Sequence, residues 1–408
     1  MEKSHQFVCA FRGRRDSYQV PLALAEVDLL DQFITDAYAM PLVCSIARIF
    51  PHGFRKKLRS RFLEGIPRER VRCLWFTTLL EHTRHKLGFA PVLTYAKLDA
   101  RFSKAARARA EKFRSNLFLY SPYAWEAFTA DYEHPPYRIL FQYHPHHDTE
   151  RRILEEDAKH FPDFAESSSA RSRRAVPESV VRRERDVWRH ADLIICASNF
   201  TRRSLIAAGC DESRCHVIPY GIELPSGHGV QSPQQFRVLF VGSGGQRKGL
   251  HHLLLAWQRA SLPISSKLVV VCRAIEPGIE RIVATSRRVD VRRDVSATEL
   301  QDLYGSSSLL VMPSLVEGFG QVYLEALAHS CPVLGTRNTC LPDLGGEADG
   351  IFVVSVGNLN ELTARLEFLS SFLATNQALR AAARACASRF TWPDFRLKIR
   401  KALDTERP

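Results

Sequence analysis

The sequence predicts an α/β protein made of two doubly wound domains in tandem, and three stretches carry that prediction. In residues 7–35 a short apolar run, Phe7 to Phe11, leads through a turn at Gly13-Arg-Arg-Asp16. A helix-favouring run from Val20 to Leu30 follows, then a second apolar run from Gln32 to Thr35. Residues 237–257 and 306–334 each repeat the order strand, loop, helix. Short apolar runs alternating with helical patterns suit buried parallel strands joined by crossover helices. Gly221 to Gln235, rich in Pro, Gly and Ser, is the best domain boundary. The expectation is a first domain over 1–221, a second over 222–390 and a terminal helix over 391–408.

Taken in order, the first strand–loop–helix–strand places Arg14 and Arg15 after a strand, on the side of the sheet where ligands bind. There they would meet a phosphate on an acceptor or a donor. Phe54, Leu58 and Phe62 recur every four residues, a helical stripe surrounded by Arg55, Lys56, Lys57, Arg59 and Arg61, with Arg68, Arg70 and Arg72 following. A basic amphipathic helix in Arg55–Arg72 would suit an anionic membrane surface. Lys97 to Phe113 reads as helix, and Asn116 to Tyr120 and Arg138 to Tyr143 as strands. The second of these ends in His144-Pro-His-His147-Asp148, which invites a metal, but no separated third ligand is recognisable. Ala165 to Pro177 is Ser/Arg-rich and reads as a mobile loop. Glu178 to Arg189 and Phe200 to Ala208 read as helices, and Ala191 to Ala197 and His216 to Pro219 as strands.

The second domain opens with the strand Arg237-Val-Leu-Phe-Val241. Gly242, Gly244 and Gly245 form a tight loop able to lie against a phosphate, and Arg247 and Lys248 bring positive charge to it. A helix follows with Leu250, Leu253, Leu254 and Trp257 on one face. The dinucleotide pattern G-x-G-x-x-G fails, since position 247 is Arg, and the P-loop pattern fails too. Lys267 to Cys272 reads as the next strand. The stretch 306–334 carries two carboxylates eight positions apart, Glu317 in the loop after strand Leu309–Met312 and Glu325 in the helix from Gln321 to Ala328. Cys331 to Leu334 reads as the strand after it. Both glutamates are expected in the crevice outside the strand ends. The main-chain N–H groups of Phe319, Gly320 and Gln321 at the helix start favour an anion. One anion site between two acceptors suits a phosphate ester carrying sugars. Thr336 to Gly350 reads as a loop region, Ile351 to Val356 as a strand, Glu361 to Arg389 as largely helical and Trp392 to Leu403 as the terminal helix.

Composition narrows the remaining classes. The chain has 408 residues, 45% apolar and 25% charged, ordinary for a globular protein of two or three domains. No stretch approaches the ~20 apolar residues that span a bilayer, and residues 1–15 hold no apolar core of signal-peptide length. Ten scattered Cys with no C-x-x-C pair point to a reducing, cytoplasmic setting. The net charge of +13 allows nucleic acid, anionic lipid or a phosphorylated substrate, yet nothing resembles a nucleic-acid-binding module, so nucleic acid is not an expected partner.

Glu317-Gly-Phe-Gly followed by Glu325-Ala-Leu-Ala resembles the E-x7-E signature of family 4 glycosyltransferases, retaining enzymes of the GT-B fold. Phe240-Val-Gly-Ser-Gly-Gly-Gln-Arg-Lys-Gly249 is similar to that family's donor-phosphate loop, with Ser243 where many members carry Arg. Ser198-Asn-Phe-Thr-Arg-Arg-Ser-Leu-Ile206 with Val217-Ile-Pro-Tyr-Gly221 is similar to its segment before the interdomain linker. The resemblance implies two Rossmann-like domains facing across a cleft, acceptor-binding first and donor-binding second, with the terminal helix crossing back to the first. It puts Lys248, with Arg247, on the donor diphosphate, Glu317 on sugar hydroxyls and Glu325 on the ribose. An N-domain histidine, His144 before His147, would reach the donor sugar, and backbone near Val295 would hold the nucleobase. No Asp-x-Asp triplet occurs, so no metal and no cofactor are expected beyond a UDP- or GDP-sugar donor. The implied acceptor is a glycan or lipid-linked hydroxyl in bacterial envelope or exopolysaccharide synthesis, at the inner face of the plasma membrane. Two rivals stay open: a sugar-nucleotide epimerase of the same fold, and a non-catalytic basic binder of membrane or nucleic acid.

Overall fold

The computed structural model describes residues 5–39, 61–75, 91–162, 176–225 and 233–405. It contains two wholly parallel sheets. The first has seven strands: β1 (Phe7–Ala10), β2 (Leu30–Thr35), β3 (Val71–Cys73), β4 (Asn116–Tyr120), β5 (Arg138–Gln142), β6 (Leu193–Cys196) and β7 (Cys215–Val217). Their order is β3-β2-β1-β4-β5-β6-β7. The second has six: β8 (Arg237–Val241), β9 (Lys267–Val271), β10 (Val289–Arg292), β11 (Leu309–Met312), β12 (Val333–Thr336) and β13 (Ile351–Val354), in the order β10-β9-β8-β11-β12-β13. Central strands such as β1, β6 and β11 are buried at every position, which is why they read as unbroken apolar runs.

Twelve helices longer than one turn cover the sheets among the described residues: α1 (Gln19–Ala25), α2 (Pro91–Phe113), α3 (His147–His160), α4 (Glu178–Asp186), α5 (Asn199–Ala207), α6 (Leu250–Arg259), α7 (Pro277–Thr285), α8 (Ala297–Ser306), α9 (Gln321–Ala328), α10 (Leu359–Thr375), α11 (Ala378–Ala387) and α12 (Trp392–Thr405). Each sheet reverses its strand order once, between β1 and β4 and between β8 and β11. Ligands in such sheets lie outside the strand ends at that reversal. The loops there are 11–18 in the first domain and 242–249 and 313–320 in the second.

Several boundaries differ from the sequence expectation, each for a local reason. The first helix stops at Ala25 because Asp28 turns left-handed (φ +58°) and Leu29 N–H donates back to Leu24 O at 2.8 Å. The strand expected from Cys331 begins at Val333, since Ser330 is left-handed, Cys331 N–H closes the preceding helix on Ala326 O, and Pro332 has no N–H for the ladder. Of the basic stretch, 54–60 lies outside the described residues. Beyond it Arg68–Arg70 is a 3-10 turn and β3 an edge strand rather than helix. Arg61 pairs with Asp36 and Arg70 with Asp28, so these two charges are already engaged. The loop expected at 165–177 falls almost wholly outside the described residues. Helix α3, which no apolar stripe announces, follows the histidine cluster, and α7 was likewise silent.

The terminal helix α12 leaves the second domain and packs on α1 of the first. Phe395 is 1% exposed, with its ring 5.9 Å from Tyr220 and 6.4 Å from Phe141. Arg396 and Arg400 clasp Glu26 beside it, partly in water. Phe395→Ala is expected to cost about 3–5 kcal/mol in urea denaturation, and Arg396→Ala no more than about 1 kcal/mol.

Candidate active site between the two domains

The loop after β8 is folded by its glycines. Gly244 N–H donates to Ala274 O at 3.0 Å, and a side chain there would strike Ile275. Gly249 is left-handed (φ +69°), and a Cβ on it would lie 2.0 Å from Pro313 O. That close approach sets the β8 loop against the β11 loop. Leu315 N–H donates to Arg247 O at 2.9 Å, and the Arg247 guanidinium donates to Val316 O at 3.2 Å. The side chains then meet: Lys248 Nζ donates to Glu317, and Arg247 lies 3.3 Å from the same carboxylate.

This cluster is largely out of water, with Glu317 side chain 10% and Lys248 14% exposed. Burial alone would push the Glu317 carboxyl up, but Arg247 and Lys248 outweigh it and hold it below its ordinary value. Burial, against the pull of Glu317, pushes the Lys248 ammonium down. The first domain presses on the same loop. A Cβ on Gly318 would sit 1.8 Å from Tyr143 O and 3.1 Å from the His144 Cα. His144 has a buried Nδ1 without a hydrogen-bond partner, and burial, helped by Arg247, brings its pKa down to about 4, so the ring is neutral at pH 7.

Beside the cluster lies a cavity of about 1480 Å3 between the domains. The first domain contributes Arg12, Gly13, Arg14, Arg15, Asp36, Arg61 and Tyr123, and the second Ala297, Leu300, Gln301, Tyr304, Gln321, Glu325 and His329. Glu325 accepts from Tyr304 Oη at 2.8 Å, and burial raises its pKa. Arg15 lies over the Tyr143 ring at 4.4 Å and over Tyr123 at 5.7 Å. No described carboxylate pairs with Arg14 or Arg15, so both keep free charge at the wall.

The sequence-chosen residues therefore separate into groups. Arg14, Arg15, Gln321 and Glu325 line the cavity. Lys248, Arg247, Glu317 and His144 converge on one another outside that lining, where the Tyr143 carbonyl abuts Gly318. Gly242, Gly244, Gly245, Phe319 and Gly320 shape the loops around that cluster. Gly320 (φ +92°) caps α9, where a Cβ would meet the Tyr323 ring at 2.6 Å. Val295 precedes α8 and is not among the cavity-lining residues. His147 is not either: it sits in the first turn of α3, its Nδ1 3.4 Å from Asp148. The adjacent His146 is buried as a structural residue, with Nε2 3.0 Å from Arg185 O.

Sequence reasoning missed the clasp that joins the domains. Ser198 Oγ donates to Gly318 O at 2.6 Å, and Asn199 binds the Asp343 carboxylate through its backbone N–H at 2.7 Å and its Nδ2 at 2.9 Å. Leu154 and Phe200 of the first domain pack on Leu315 and Val316 of the second. Among the described residues, one group of three side chains, Asp157, His251 and His252, is close enough to hold a metal ion. The 2.7 Å contact of His252 Nε2 with Asp157 is that of a hydrogen bond.

The comparisons with known proteins agree with this layout. A family model described as "Glycosyltransferase Family 4" matches residues 59–225, and one described as "Glycosyl transferases group 1" matches 235–371. The chain belongs to the family 4 glycosyltransferases. It is 29% identical over 158 residues to an MMP α-(1→4)-mannosyltransferase of Mycolicibacterium hassiacum, covering 37% of this chain and 38% of the relative. It is 30% identical over 196 residues to a D-inositol 3-phosphate glycosyltransferase of Pseudarthrobacter chlorophenolicus, covering 42% and 45%. The chain thus spans less than half the length of these curated relatives. In fold it is similar to a sucrose-phosphate synthase from Thermosynechococcus elongatus (TM-score 0.63, 17% identity, 98% of each chain). It is also similar to Anabaena HepE in complex with UDP-glucose (TM-score 0.56, 15% identity, 98% and 99%). The architecture of this family 4 member is the two-domain GT-B fold.

Two outcomes are expected. Gly318→Ala leaves no room for the Tyr143 carbonyl and is expected to part the domains, read as a larger radius of gyration in solution scattering. Asp16, on the cavity wall, has its pKa raised by burial to about 7, against hydrogen bonds from Tyr120 and Val20 that oppose it. Its folded value lies above the ordinary 3.8, so its contribution to stability is complete below pH 3.8 and is lost as pH rises to about 7. Relative to Asp16→Asn, the wild-type chain should lose roughly 1 kcal/mol per pH unit across that window in chemical denaturation.

Proposed function

We propose that the chain transfers a hexosyl group from a nucleoside-diphosphate sugar to a hydroxyl, with retention at the anomeric carbon and without a metal. The observation that carries this is the buried Lys248–Arg247–Glu317 cluster at the β8 and β11 ends, beside a cleft that also holds Glu325. Two cations share one carboxylate there, so the cluster has one positive charge to spare for an anion. An incoming diphosphate would take over Lys248 and Arg247, supported by the N–H groups at the start of α9. That would release Glu317 to accept hydrogen bonds from the sugar. In the reaction the bond from the anomeric carbon to the diphosphate breaks, and the bond to the acceptor oxygen forms on the same face. The acceptor proton passes to the departing phosphoryl oxygen. Lys248 and Arg247 stabilise the charge that develops on that oxygen, which is the service a metal performs in other transferases. Neutral His144 would hydrogen-bond a donor hydroxyl, and Glu325 the ribose.

The relatives support the finer reading. Curated matches named mannosyltransferases come from Mycolicibacterium hassiacum and, as serotype-specific WbdA, from Escherichia coli. Solved structures of this fold hold UDP and UDP-glucose. A UDP- or GDP-hexose donor and a glycan or lipid-linked acceptor follow, with a place in bacterial surface-polysaccharide synthesis. Arg14 and Arg15 on the acceptor wall favour an acceptor that carries negative charge.

A thermal-shift panel of nucleotide sugars tests the donor, since a ligand at ~100 times its Kd adds ~2.7 kcal/mol to stability. Lys248→Ala is expected to lower kcat by ~10²–10³ while the fold stays intact by circular dichroism, and NMR of the product should show the donor's anomeric configuration. If no nucleotide sugar moves the melting temperature while a polyanion does, the transferase reading fails.

A further inference from the structure

We infer that Asp157, in the first domain, is a positioning residue for the donor-phosphate loop of the second; this rests on the function proposed above. Asp157 lies on α3 and is buried. Its carboxylate accepts from Gln246 Nε2 at 2.8 Å, from His252 Nε2 at 2.7 Å and from His251 Nε2 at 3.4 Å. Gln246 Nε2 also donates to Leu154 O at 2.8 Å, one α3 turn earlier.

The positions of these donors along the chain give the contact its meaning. Gln246 immediately precedes Arg247 and Lys248, and His251 and His252 open α6 just after Gly249. One carboxylate from across the seam therefore holds both ends of the segment that presents the two phosphate-binding cations. The Phe161 ring stands edge-on to both imidazoles, at 4.9 and 5.1 Å, and keeps water off them. Burial holds His251 neutral, with its pKa down to about 4. The hydrogen bonds from His251, His252 and Gln246 outweigh burial and keep Asp157 ionised. An anion with three donors in a dry seam is satisfied only while the domains stay apposed. The loop geometry that puts Lys248 on Glu317 is thereby coupled to domain closure, and Asp157 acts on the donor through that loop without touching it.

The test is hydrogen exchange by mass spectrometry on the full chain, together with steady-state kinetics. Asp157→Asn keeps the shape and removes the charge. It is expected to speed exchange in residues 246–252 at least tenfold without substrate, to lower kcat/KM for the donor at least tenfold, and to leave the acceptor KM unchanged. His252→Gln restores an amide donor and should recover part of the loss that His252→Ala causes, which also guards against a misfolded Asp157→Asn. Unchanged exchange in 246–252 overturns the inference even if the wild type shows no transferase activity, so it can fail independently of the proposed function. A loss confined to the acceptor KM overturns it as well. So does one tightly held transition metal per purified chain, because the three side chains would then be a metal's ligands.

Discussion

A buried Glu317 carboxylate shared between Lys248 and Arg247 is the constraint around which the second domain is arranged. Removing three charges from water costs several kcal/mol per ion, and mutual attraction offsets this only with tight geometry. The loops around the cluster are built to supply that geometry. Gly249 lets the β8 loop touch Pro313, and Gly320 turns the chain into α9 at a φ that few other residues adopt. The cluster is over-supplied with positive charge, an arrangement better suited to receiving an anion than to stabilising a fold.

The first domain completes the site by contact rather than by supplying the cations. Its Tyr143 carbonyl and His144 backbone lie on Gly318, and Ser198 and Asn199 hold the facing loops. An aromatic column joins the two cores: Phe11, Tyr120, Phe141, Tyr220 and Phe319 follow one another with ring centroids 4.9–5.6 Å apart. Phe319, chosen from the sequence for its backbone N–H, is thus also the point where the second domain's loop keys into the first.

The central strands were legible because burial on both faces leaves an apolar run with Gly or Pro at its end; β8 and β11 match their expected limits to the residue. Lys248, Glu317 and Glu325 were legible because a local motif places each of them. Helix α3 was not, since its outward faces are charged and only Leu154 and Asp157 are buried in it. What Asp157 and Ser198 touch could not be read at all. Each meets partners roughly 90 to 120 positions away, and no local pattern encodes which face of one domain meets the other. The histidines show the same limit. Composition marks 144–147 as special, but only packing decides that His144 faces the cluster, His146 is structural and His147 stays in the helix turn.

The return of α12 to the first domain has a consequence for how the molecule is made. On the ribosome the first sheet emerges whole, yet the surface of α1 that α12 covers stays bare until the second sheet has been synthesised and has folded. The nascent first half must therefore wait with an uncovered apolar flank, which is the stage at which a chaperone would be needed most. A stop codon just before Trp392 would leave both sheets encoded and that flank permanently open.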